Sequence, residues 1–171
     1  MTRLILLYLF LLIGRSCGVS TGQDIVNNDL RHMAFVAEVD RIIDGDTMVV
    51  LYQGRLVRIR LTHIDAPENR RSNPISKMST QALTTLCADS KVTVQSQGYD
   101  RYERLLAEVI NHKGVVVNKE MVRLGMAVHY KRYSDNSTYA ELEEQARKQK
   151  IGLWMENDSI TTGDREKVIK K

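Results

Sequence analysis

Between Met33 and Asp65 the chain is written in short, β-branched, alternating stretches: Phe35 to Ile43, Thr47 to Tyr52 and Leu56 to Ile64, with Gln53-Gly54-Arg55 as a turn between the last two. Alternation with a period of two puts one face of each stretch in a core and the other in water. The pattern therefore predicts three consecutive antiparallel strands.

After the third strand, Asn73 followed by Pro74 marks a helix start, since a proline at the first helical position gives up no hydrogen bond. Ile75, Met78, Ala82, Leu83, Leu86 and Cys87 then recur at helical spacing, predicting an amphipathic helix from about Pro74 to Ala88. Lys91 to Gln97 and Leu105 to Asn111 return to strand-like sequence around a polar bend at Gly98 to Arg104. Val117 to Leu124 reads as a short helix that Gly125 caps. Thr138 with Glu141 makes a capping box for a third helix begun near Tyr139, which Gly152 is placed to end. Five strands, with a helix after the third and helices at the end, predict an α+β but mainly β fold: a five-stranded Greek-key barrel with three α-helices rather than a doubly wound sheet. Small barrels of this oligonucleotide-binding type carry nucleic-acid sites.

A length of 171 residues suits one such domain, and 43% hydrophobic with 27% charged residues is the balance of a chain that buries a core. No linker, repeat or low-complexity tract divides it. Residues 1–22 are set apart: Arg3, an apolar run from Leu4 to Gly14, then small and polar residues are the three parts of a secretory signal peptide. The apolar run is about half of the roughly 20 residues that a membrane-spanning helix needs, so no transmembrane span is expected in the mature chain. The expected location is secreted or periplasmic, with an uncleaved, membrane-tethered form as the alternative. Loss of Arg3 and Arg15 with the leader lowers the formal charge from +4 to +2, which is weak support for any nucleic-acid partner. Loss of Cys17 leaves Cys87 alone, as a small hydrophobe on a helix face, and excludes an internal disulfide. The domain is expected over residues 33–156, followed by a polar tail over 157–171 ending Lys167-Val168-Ile169-Lys170-Lys171.

Chemistry concentrates at the strand ends. Asp44-Gly45-Asp46-Thr47 lies between the first two strands and Asp65-Ala66-Pro67-Glu68 follows the third. A closed meander brings these acidic segments to one barrel rim, where Asp46 and Asp65 are candidate ligands for a hard divalent cation. Taken singly, Asp-Gly and Asp-Ala-Pro are ordinary turn formers. An EF-hand is excluded, because counting from Asp44 the twelfth position is Arg55. Arg58 and Arg60 share a strand face; Arg58 reads as a solvated residue, while Arg60 is near enough to Asp65 to offer a phosphate its guanidinium fork. His63 is expected at an ordinary strand position, and the four histidines are scattered along the chain.

The strings Ile43-Asp44-Gly45-Asp46-Thr47, Arg60-Leu61-Thr62-His63-Ile64-Asp65-Ala66-Pro67-Glu68 and Asp100-Arg101-Tyr102-Glu103-Arg104-Leu105-Leu106-Ala107 closely resemble the staphylococcal nuclease (thermonuclease) family. The likeness continues through Val117-Asn118, Val122 to Ala127 and the Lys150-Ile151-Gly152-Leu153-Trp154 ending, over roughly residues 35–155. The resemblance implies a calcium-dependent hydrolase of DNA and RNA with little sequence specificity, leaving 3′-phosphate and 5′-hydroxyl ends. It implies Asp46, Asp65 and the main-chain carbonyl of Ala66 as ligands of Ca²⁺; the nuclease that names the family has threonine at this last position, which a carbonyl ligand tolerates. Glu68 is implied as general base, Arg60 and Arg104 as phosphate-binding groups that stabilise the transition state, and Tyr130 and Tyr133 as substrate-binding rings. A monomer with no stable protein partner is expected.

One position departs from the pattern. The family has glycine before the second arginine, where this chain has Glu103. If the turn needs positive φ, the glutamate costs about 1 kcal/mol and weakens catalysis. The alternative reading is a catalytically weak or silent nucleic-acid-binding barrel, against which stands the joint presence of Asp46, Asp65, Glu68, Arg60 and Arg104.

Overall fold

The computed structural model describes residues 29–68, 74–88 and 91–155. The leader, Asn73 and the C-terminal tail lie outside these residues. Five strands close a barrel: β1 (Ala34–Ile42), β2 (Thr47–Tyr52), β3 (Arg55–Leu61), β5 (Lys91–Tyr99) and β6 (Leu105–Asn111). The order around it is β1-β2-β3-β6-β5, with β5 returning to β1. All neighbours are antiparallel except β3 and β6, which run parallel. Alternate residues fill the interior, among them Met48, Val50, Ile59, Val94, Leu105 and Val109, none with exposed surface. Each such side chain contributes roughly 1.5–3 kcal/mol by leaving water. Register shifts at Val39/Arg41 in β1 and Ser96/Gly98 in β5 supply the local bends that let a short sheet close.

The expected third strand is broken. It ends at Leu61, His63 takes φ 68°, and Ile64–Asp65 leave the barrel as β4 to pair with β7 (Val128–His129). The cause is a buried asparagine. Asn118, on helix α2 (Val117–Arg123), donates to Thr62 O at 3.1 Å and Ala107 O at 3.0 Å while accepting from Val109 N at 2.9 Å. This fixes the end of β3 against β6 and turns the chain away. His63 therefore sits in a left-handed turn and not within a strand.

Helix α1 (Pro74–Leu86) closes one side of the barrel with Leu83, and α2 does so with Met121 and Val122. Gly125, at φ 65°, ends α2 as its spacing predicts. The start of helix α3 (Ser137–Lys148) differs from the capping box: Asn136 is the cap, its side chain accepting from Thr138 N at 3.1 Å. Its end differs too. Lys150 takes the left-handed position, and Ile151 N bonds back to Ala146 O, so Gly152 is free to meet Gly125 instead. A Cβ on Gly152 would stand 2.3 Å from Gly125 O, which is why this pair of turns needs glycine. No helix among the described residues is long and apolar enough to cross a membrane.

Candidate active site

The rim between β2 and β4 gathers Asp46, Arg60 and Asp65 in one buried cluster. The loop before β2 makes this approach through Gly45, where an added Cβ would stand 1.8 Å from Ser79 Oγ on α1 and 2.8 Å from the Ala66 Cβ. Asp46 N then bonds to Asp44 Oδ1 at 3.0 Å, and Leu61 N bonds to Asp46 O at 2.8 Å, locking the aspartate to the end of β3.

Arg60 is the hub. Its Nη1 donates to Leu61 O at 2.7 Å and Ile64 O at 2.8 Å, which braces the turn between β3 and β4. Its Nη2 lies 3.1 Å from Asp46 Oδ2 and 2.9 Å from Asp65 Oδ1. All three residues are less than 10% exposed. Asp46 is further held by Ala66 N at 2.7 Å and by the hydroxyl of Thr47 at 3.0 Å. Two carboxylates facing one guanidinium leave a buried net charge of −1 when both are ionised. Burial pushes the Asp46 carboxyl up to about 7, against the attraction of Arg60 and with the repulsion of Asp44 and Asp65 adding to it. The donors are hard oxygens, and their charge is underbalanced; both properties suit a Ca²⁺ ion at Asp46 and Asp65. Among the described residues no third His, Cys, Asp or Glu joins them as a ligand cluster, so further ligands would be carbonyl or water oxygens. Glu68 is exposed three residues beyond Asp65.

Arg104 stands on the neighbouring strand end. The turn that delivers it is organised by Asp100, which accepts from Tyr102 N at 2.9 Å and Arg104 N at 3.0 Å and pairs with the Arg104 side chain at 2.6 Å. Burial pushes the Asp100 carboxyl up, but the hydrogen bonds from Arg104 and Tyr102 together hold it below its usual value. Glu103 takes φ 60°, the left-handed conformation that glycine adopts without strain. Its carboxylate is exposed and meets no cation among the described residues.

Tyr130 and Tyr133 form a tilted pair with ring centroids 4.9 Å apart, Tyr133 largely exposed. Tyr130 N donates to His63 O at 2.8 Å, so this loop is fastened to the turn that precedes Asp65. Behind it lies a connection that the sequence does not reveal: His63 Nδ1 and His129 Nε2 converge on Ser134 Oγ, at 2.8 and 3.0 Å, and both rings lie against Tyr139. The positioning roles of Thr47 and Asn118 are also additions of the structure. Asn118 carries a signal, a polar side chain at an apolar position of a short helix; a serine between two distant histidines carries none.

The staphylococcal nuclease homologue model matches residues 58–156, a span that contains Arg60, Asp65, Glu68, Arg104 and both tyrosines but begins after Asp46. An uncharacterized endonuclease of Escherichia coli O157:H7 is 40% identical over 122 residues, covering 71% of this chain and 78% of the relative. A micrococcal nuclease of Shigella flexneri is 37% identical over 131 residues, covering 70% and 74%. With the barrel, the three helices and the match over more than half of its length, the chain belongs to the staphylococcal nuclease family.

Proposed function

We propose that this nuclease is an exported, calcium-dependent enzyme that hydrolyses DNA and RNA with little sequence specificity. The observation that carries the reading is the buried Asp46–Arg60–Asp65 cluster at the barrel rim, an anionic oxygen site with cationic side chains beside it. Asp46 and Asp65 would hold Ca²⁺ with the Ala66 carbonyl, and the bound ion would supply positive charge to a phosphoryl oxygen. Glu68 would take a proton from a water attacking phosphorus. The P–O5′ bond then breaks, the 5′ oxygen leaves as a hydroxyl after protonation, and the phosphate stays on the 3′ side.

Arg104 and Arg60 would stabilise the charge added in the five-coordinate transition state. Arg60 can offer Nη2 to a phosphate only when Asp46 and Asp65 are otherwise engaged, so its first task is to hold the two carboxylates together. Tyr130 and Tyr133 would stack on bases, an interaction that every base permits and that favours single strands. Export rests on the leader-like residues 1–22, and a monomer on the closure of the barrel, in which each of the five strands pairs with two neighbours.

Digestion of single-stranded DNA and RNA by the full-length chain, in Ca²⁺ and in chelator, tests the reading. The expected result is Ca²⁺-dependent cleavage whose products accept a 5′ label without prior dephosphorylation, as 5′-hydroxyl ends do. Equal cleavage in chelator, or binding without cleavage, would contradict it.

A further inference from the structure

Arg58 is exposed, and among the described residues it forms no ion pair, a property it shares with Arg55 at the start of the same strand but not with the arginines on its own face. Arg60 is engaged by Asp46 and Asp65, Arg104 by Asp100, and Arg41 by Asp40. Its position on the sheet is specific. Arg58 and Arg60 are two residues apart on β3, so both stand on the outer face, about 6.6 Å apart along the strand. The β3–β6 register pairs Ile59 with Leu105; continued by one residue, it sets Arg58 beside Arg104. Adjacent strands lie about 4.8 Å apart. Leu105 and Ala107 point into the core, so Arg104 shares the outer face with Arg58.

On the other side Arg58 pairs with Val49, and Val49 with Arg41. Val49 is an apolar residue on the outer face and only 3% exposed. The row Arg104, Arg58, Val49, Arg41 therefore runs from the turn before β6 across three strands, β3, β2 and β1. It sets three arginines on one outer face, with a single buried valine between Arg58 and Arg41, starting beside the two arginines of the site.

We infer that Arg58, continued by Arg41, forms a phosphate-binding path for the substrate strand flanking the scissile phosphate. Arg104 and Arg60 face the bond that breaks; Arg58 holds the next backbone phosphate, and the strand runs on across β2 toward Arg41. The ligand class is the sugar–phosphate backbone of a single-stranded nucleic acid, read by charge and spacing and not by base. Unlike Arg60, Arg58 has no carboxylate to release before it can bind. This inference extends the nuclease reading and names the direction of the strand, but its test does not need catalysis.

The test is binding of a fluorescent single-stranded oligonucleotide of about 12 nucleotides, within the length one such barrel covers, by the full-length chain in chelator across a salt series. Each phosphate contact on a single strand contributes about 0.7 to the slope of log affinity against log salt. Arg58→Ala is expected to weaken binding about tenfold at low salt and to reduce the slope by about 0.7, and Arg58→Ala with Arg41→Ala to reduce it by about 1.4. Arg55→Ala removes the same charge from the hairpin end of β3 and is expected to change neither. Equal behaviour of Arg58→Ala and Arg55→Ala would overturn the inference. If the parent binds and Arg58→Ala lowers the slope as expected, but the parent does not cleave with Ca²⁺, the path stands and the nuclease reading fails. If the parent cleaves and Arg58→Ala leaves the slope unchanged, the nuclease reading stands and the path fails.

Discussion

The two strand ends that carry the site are built in opposite ways. At the β2–β4 rim Asp46, Arg60 and Asp65 are buried; Asp46 and Arg60 are each fixed by several hydrogen bonds, and Asp65 is held by the Arg60 guanidinium. At the β5–β6 turn Arg104 is partly exposed, holds one aspartate four residues back, and follows a glutamate in a left-handed conformation. The first half is part of the core and couples chemistry to folding. The second is a surface turn that presents a cation at little cost to the fold beyond its own strain.

Arg60→Ala should break the first half most severely. It leaves two buried carboxylates without their common partner, an error that costs about 3–5 kcal/mol, and denaturant unfolding should show it. Arg104→Ala should separate function from stability: a loss of about 10²–10³ in kcat, as for removal of one transition-state donor, with a stability change below about 1 kcal/mol because the pair is partly solvated. If Arg104→Ala destabilised the fold as much as Arg60→Ala, the contrast would be wrong.

The halves also differ in how pH acts on them. The Asp46 carboxyl is raised above its unfolded value, so its ionisation disfavours the fold, and that loss grows as pH rises from the ordinary carboxylate range through about 7. Asp46→Asn, which leaves Arg60 paired with Asp65, should raise metal-free stability at pH 7 by roughly 1–3 kcal/mol and give no gain near pH 4. Asp100 runs the other way: its carboxyl is lowered, and the stability it contributes is lost as pH falls through its folded value. Thermal unfolding of parent and Asp46→Asn across pH reads the first effect directly.

The smallest effect sharpens the second half. Glu103→Gly should stabilise the chain by no more than about 1 kcal/mol, the strain of a side chain at positive φ less the backbone freedom glycine regains in the unfolded chain. It should also speed turnover by relaxing the turn beside Arg104. A variant no faster than the parent in steady-state cleavage would remove Glu103 from the causes of a slow rate.

Much of this contrast is legible in the sequence. Alternation from Phe35 onward, the Pro74 start and the Gly125 stop follow from local steric and hydrophobic rules, and the barrel follows from their order. The strain at Glu103 is legible only through the family resemblance, whose pattern has glycine before the second arginine. What escapes depends on distant partners. The break after Leu61 is set by Asn118, which is 56 residues from Thr62, and β4 and β7 are each too short to register as a pattern. Both ends of the third helix differ from expectation because Asn136 and Lys150 use side-chain capping and a left-handed turn at positions where Thr138 and Gly152 look better by residue type. The role of Arg60 differs for the same reason: its spacing from Asp65 suggests a phosphate fork, whereas its bonds to Leu61, Ile64, Asp46 and Asp65 make it first the brace of the site.

Whether the buried rim cluster is a calcium site decides the chemistry of the whole rim. Calcium titration of the full-length chain, followed by thermal unfolding of parent and Asp65→Asn, tests this most directly. With the ion held by Asp46 and Asp65, Ca²⁺ should raise the Tm of the parent in a concentration-dependent way and leave that of Asp65→Asn unmoved. An equal Ca²⁺-induced shift in both proteins would place the ion elsewhere and contradict a calcium site at the rim.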